Sequence, residues 1–268
     1  MRKQAVLTAL LLLATTSLLL AHDLFLKLET YFVPPRTPVR VAVLNGSFTT
    51  SEGAVTPDRL RDLSIASAGG RVALPRAAWR PQGDTTWLTL TTGAPGTYVV
   101  GASLLPRQIA LAAKDFNAYL EEDGIPDVLA ARTRDGELTN NARERYQKHV
   151  KAVIQVGDAR SNGFAAVFGY PAEIVPLANP YRLRIRDTLA VRALVDGKSI
   201  TNQLVIAGGE RDGHAIDEVR ARSDSAGVAR FAIGAPGRWY IKFIHMVRVQ
   251  GDSVNYESTW ATLTFQVR

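Results

Sequence analysis

Cysteine is absent from this 268-residue chain. That excludes disulfides, a cysteine nucleophile and a lipid-modified amino-terminal cysteine, so no lipid anchor is expected. Stability must come from filled cores and sheet pairing. Catalytic signatures are missing as well. The chain has no Gly-x-Ser-x-Gly elbow, no His-Glu-x-x-His helix and no phosphate-cradling glycine loop. Asp115, Glu121, Glu122 and Asp123 read as a solvated helix face, not an acid–base pair. The formal net charge is +7, but the basic residues are dispersed and do not cluster among aromatics, so nucleic acid is not an expected partner. These absences point away from an enzyme.

What is present starts with an export signal. Met1-Arg2-Lys3 precedes an apolar run over residues 5–21 that ends in Ala21. A short basic segment, an apolar stretch and a small residue make a secretory signal peptide. Leu19 occupies the −3 position where alanine is more usual; the run is also at the short end of what spans a bilayer. Cleavage after Ala21 and export to a bacterial periplasm are the expectation. Removal of the leader takes away Arg2 and Lys3 and no acid.

The rest of the chain reads mainly as β. In the last segment Ala261, Leu263, Phe265 and Val267 alternate with Thr262, Thr264 and Gln266, the period-2 signature of a half-buried strand. An aromatic and β-branched strand, residues 239–245, precedes it. Earlier strands are expected at 22–28, 39–43, 63–65 and 85–90, with a long polar loop over 47–61. Gly93-Ala94-Pro95-Gly96-Thr97-Tyr98 is echoed by Gly234-Ala235-Pro236-Gly237-Arg238-Trp239, which suggests two copies of a β-sandwich module. The modules, immunoglobulin-like or Cna-B-like, are assigned to residues 22–110 and 159–268.

Between them, residues 111–158 read as a helical insert. Asp115 caps a first helix that Gly124 ends, and Pro126 opens a second that Gly136 closes. A third and longest helix is expected from Thr139 or Asn140 to Gly157, because Ala142, Tyr146, Val150 and Val153 recur at helical spacing. His149 borders its apolar stripe.

Several segments are familiar together: Glu144-Arg145-Tyr146-Gln147-Lys148-His149, Gly169-Tyr170-Pro171-Ala172-Glu173-Ile174-Val175-Pro176, Asn179-Pro180-Tyr181, Ile244-His245-Met246 and Tyr256-Glu257-Ser258-Thr259-Trp260. With the Ala21-His22-Asp23 start, they resemble a family of exported bacterial proteins labelled as NikM-like periplasmic components of nickel or cobalt uptake. The likeness covers nearly the whole mature chain. It implies a metal-uptake transporter of the inner membrane as partner. Some relatives carry a His-rich tract at the tip corresponding to residues 208–217; this chain keeps only His214, flanked by Asp212 and Asp217.

The candidate metal ligands are His22, Asp23, His245, Glu257 and His214. Cleavage after Ala21 would let the α-amine and Nδ1 of His22 chelate one ion, and copper(II) and nickel(II) favour such nitrogen donors. A hairpin centred near Gly251 places His245 opposite Glu257 or one residue from it, so these two, or Asp23, would complete the set. The plainer reading makes His22 a frayed terminus, His245 a hydrogen-bonded core residue and His214 a solvated tip. Two functions therefore stand: an accessory protein that binds or delivers nickel, cobalt or copper, or a non-enzymatic β-sandwich module that binds a protein or carbohydrate partner.

Overall fold

Strands form where β-branched and aromatic residues can pack on a pleated surface, and that composition recurs along most of the chain. The computed structural model describes residues 22–250 and 253–268; the expected signal peptide lies outside the described residues. In the first part are β1 (Asp23–Lys27), β2 (Phe32–Val33), β3 (Pro38–Gly46), β4 (Leu60–Ser67), β5 (Gly70–Ala73), β6 (Trp79–Gln82), β7 (Thr85–Thr91), β8 (Gly96–Leu104) and β9 (Arg107–Leu111). Helices α1 (Ala113–Glu122) and α2 (Pro126–Arg134) follow. Then come β10 (Ala142–Val156), β11 (Ala172–Pro176), β12 (Thr188–Val195), β13 (Lys198–Ser199), β14 (Leu204–Arg211), β15 (His214–Arg222), β16 (Val228–Ala232), β17 (Gly237–Arg248) and β18 (Tyr256–Val267).

The strands make three sheets. A central one runs β15-β14-β17-β18-β10-β8-β4-β5, with β2 and β9 also paired to β10. A four-stranded sheet, β1-β3-β7-β6, covers one of its faces, and β11, β12, β13 and β16 cover the other. The alternation of β10 shows the arrangement directly. Val150, Ala152, Ile154 and Val156 enter the core with Leu24, Val41 and Leu88, while Val153 enters the core with Ile174, Val191 and Phe231. The fold is mainly β, with two sandwiches that share one sheet. The glycine-proline echo falls at matching places: one copy carries the chain from β7 to β8, the other from β16 to β17, each time from an outer sheet into the central one.

The two expected short helices are present. Phe116, Tyr119 and Leu120 of α1 are buried against Ile244, Met246, Tyr256 and Trp260. Gly124 takes the left-handed conformation after α1 (φ +77°), and Pro126 opens α2. The third helix is not: residues 142–156 form β10, the longest strand. β10 runs parallel to β18 and antiparallel to β8 and β9, and outer layers cover both its faces over much of its length. Apolar residues therefore occur on both sides and the period-2 signal is lost. Three of its charged residues, Glu144, Lys148 and Lys151, are buried and take partners from distant segments.

The first strand is held by the last. Thr262 donates its hydroxyl to the Leu24 carbonyl at 2.7 Å, and Thr264 does the same for the Leu26 carbonyl at 2.5 Å. These bonds tie the edge strand β1 onto the central sheet and place the segment around His22 above β10 and β18.

Candidate functional site

His22 directly precedes β1, whose Asp23 pairs with Gly46 at the end of β3. The chain beyond β3 folds back at once. Ser47 N–H donates to the Thr50 carbonyl (3.0 Å), and Glu52 N–H donates to the Asn45 carbonyl (2.9 Å). That turn, inside the stretch read as a polar loop, delivers the Glu52 carboxylate to His22, with Nε2 and Oε2 3.0 Å apart. The other ring nitrogen, Nδ1, takes no hydrogen bond among the described residues.

Below His22 lies a buried network of charges. Asp23 Oδ2 meets Lys242 Nζ at 2.5 Å, while Asp23 Oδ1 is buried with no partner among the described residues. Asp123, the C-cap of α1, has its carboxyl pushed up to about 7, first by burial and then by the neighbouring Asp23 charge. His22, Asp23, Glu52, Glu122 and Asp123 line one cavity of about 250 Å³. On the other side of His22, Lys148 of β10 donates to the His22 carbonyl and, at 3.2 Å, to Asn45 Oδ1. Burial lowers the Lys148 ammonium to about 8, and its Nζ sits 5.2 Å from the Trp260 ring centroid. Glu144, four residues earlier on the same face of β10, is raised to about 7 by burial. It accepts from the Tyr119 hydroxyl at 3.2 Å and from Ser258.

The other expected ligands lie elsewhere. On β17, Lys242, Ile244 and Met246 face β1 and α1, whereas His245 shares the opposite face with Trp239, Ile241 and Phe243. The central sheet thus separates His245 from His22 and Asp23. The hairpin register differs from the expected one by a short step: Val247, not His245, is opposite Glu257, and His245 is opposite Thr259. The connecting loop is centred one residue later than the sequence suggested. Each residue has its own partner. Glu257 pairs with Arg145 at 2.6 Å, and His245 Nδ1 lies 3.2 Å from Gln203 Oε1. Burial lowers the His245 imidazole below its usual value.

His214 is exposed at the β14–β15 hairpin, where Asp212 (φ 51°) and Gly213 (φ 81°) form the two-residue turn. It approaches neither cluster. Among the described residues no three His, Asp or Glu side chains are arranged to hold a metal ion. The five-residue ligand set is therefore not assembled: the structure joins His22 to Asp23 and separates both from His245, Glu257 and His214.

Sequence reasoning missed Glu52, Asp123, Glu144 and Lys148. Each looked like ordinary surface charge, and nothing in its local pattern marked it as buried or paired. His149, taken as a boundary residue, is buried, with Nδ1 2.9 Å from the Ser103 hydroxyl. Its imidazole is lowered to about 3 by burial, with Arg61 adding to the shift.

A family model described as a domain of unknown function, DUF4198, matches residues 19–247. No curated protein matches the chain. Among solved structures it is similar to one described as the D0-D1 domain of Intimin, at 12% identity over 91% of this chain and 98% of that one, with a TM-score of 0.21. It is also similar to a tetra-tandem repeat in the extending region of a large adhesion protein, at 10% identity over 91% of this chain and 49% of that one, again with a TM-score of 0.21. At that TM-score neither likeness carries an argument about this chain.

Proposed function

The chain belongs to the DUF4198 family, and on that premise we propose that it is an exported periplasmic protein that binds a transition-metal ion through its amino-terminal histidine and delivers it to an uptake transporter of the inner membrane. The observation that supports this reading is the 3.0 Å contact between His22 Nε2 and the Glu52 carboxylate, with Nδ1 unpartnered among the described residues. Metal-ligating histidines characteristically donate their second ring nitrogen to a carboxylate, which fixes the tautomer and raises the basicity of the ligating nitrogen. Cleavage after Ala21 would add the α-amine beside Nδ1. Asp23 Oδ1 of the adjacent residue, buried and unpartnered among the described residues, is a further donor.

A nitrogen-rich set of this kind suits nickel(II) or copper(II); cobalt enters through the NikM-like resemblance. His245, Glu257 and His214 have no part in the site. The test is metal titration of processed protein that begins at His22, against a variant with one extra residue before His22. Nickel or copper affinity should fall at least tenfold in the extended variant, a loss of about 1.4 kcal/mol or more. Equal affinity would overturn the reading and leave a β-sandwich interaction module in its place.

A further inference from the structure

The second cavity beside His22 has a different character. It measures about 190 Å³, and its charged lining is Arg59, Arg107 and Lys148, with no aspartate or glutamate. It lies between the start of β4, the start of β9 and the middle of β10. The three cations come from segments far apart in sequence; the acids that act on Lys148, namely Asp23, Asp123 and Glu144, stand outside the recess and not in its wall.

Among the described residues, neither Arg59 nor Arg107 takes an ion pair. Asp58, whose carboxyl is lowered first by a hydrogen bond to Thr56 and more weakly by the two guanidiniums, is fully exposed and does not line the cavity. Arg59 donates from Nη2 to the Leu105 carbonyl at 2.7 Å, and its Nε is buried with no partner among the described residues. Its guanidinium is weakened by burial and then by the Arg107 charge. Lys148 spends two of its three donors on the His22 carbonyl and Asn45, which leaves one N–H unassigned. Positive groups gathered in one recess without an acid are stabilised by an anion that takes up their open donors.

We infer that this recess is a binding site for a small dianionic organic acid, held by Arg59, Arg107 and Lys148. The size and the walls select the class. At about 190 Å³ it is smaller than the pockets that enclose drug-sized ligands, roughly 300 Å³ and upward. Leu104, Ile109 and the Tyr146 ring supply apolar wall between the charged ends. A short carbon chain with two carboxylates uses both features, whereas a hydrated inorganic oxyanion gains nothing from the apolar wall. Guanidinium groups match carboxylates two bonds at a time, which favours this pairing over ammonium alone. His22 borders this recess as well as the acidic cavity, but the anion site does not need a metal.

The experiment is isothermal titration of the whole processed protein with malonate, succinate and inorganic phosphate at fixed ionic strength. Metal is stripped first and the chelator, itself a polycarboxylate, is dialysed away, so the outcome is independent of metal binding. One dicarboxylate per chain should bind saturably. Arg107→Gln, at an exposed position, should weaken it about tenfold or more, and Arg59→Gln should do the same. Arg220→Gln on β15, which removes one charge outside the recess, should leave affinity unchanged. Absence of saturable binding, or equal weakening by Arg220→Gln, overturns the site. Phosphate binding as tightly as either dicarboxylate overturns the organic-acid assignment.

Discussion

Lys151 and Glu173 form an ion pair of 2.9 Å that joins β10 to β11, with both side chains almost fully buried. Glu173 also accepts from the backbone N–H groups of Phe168 and Tyr170, each at 2.9 Å. A charge so enclosed depends on its partner, because removal of one member strands the other in a low-dielectric interior. Lys151→Met should destabilise the fold by about 3–5 kcal/mol in urea denaturation. Lys151→Met combined with Glu173→Gln should cost less than the sum of the two single changes, since the double variant leaves no unpaired charge. Additive losses would show that the pair is not coupled.

Glu144 gives the stability a pH dependence of definite sign. Its carboxyl is raised from 4.5 to about 7 by burial, so between these values the folded state holds a proton that the unfolded chain has released. The stabilisation is complete below pH 4.5 and is lost as pH rises through 7. Asp123 acts in the same direction. His149, lowered from 6.5 to about 3, acts oppositely, with stabilisation complete above 6.5 and lost as pH falls toward 3. The stability of Glu144→Gln relative to the parent should therefore climb between pH 4.5 and 7, by up to roughly 1.4 kcal/mol per pH unit. Urea midpoints across that range measure it, and a flat difference would contradict it.

The Ser103 hydroxyl is the partner of His149 Nδ1, and His149 Nε2 has none among the described residues. Ser103→Ala leaves a buried imidazole with no hydrogen bond at either nitrogen. The expected cost is about 1–3 kcal/mol in thermal or chemical unfolding. A change close to zero would mean that water reaches the ring.

Glu52 orients His22 without itself being an assigned metal ligand. Glu52→Gln should weaken nickel or copper binding by about 10–100-fold. The Glu52 side chain is half exposed, so the unfolding midpoint should barely move. Unchanged metal affinity in titration would remove Glu52 from the site.

The final hairpin, the matching glycine-proline turns and both short helices were legible because each rests on local chemistry. Alternation of Ala261, Leu263 and Phe265, φ restriction at proline and the left-handed preference of glycine need no distant partner. β10 was not legible. A strand marks its faces only when one of them is wet, and β10 is covered on both. The same limit hid the site. Amino acid order places His22 at a processing point and His245 in a strand, but it carries no information on which side of a sheet each will stand. The layer to which β1 is tied by Thr262 and Thr264 decided that. The sequence alone therefore determined which residues could bind, and the layering of three sheets determined that His22 meets Glu52, with His245 on the far side of the central sheet.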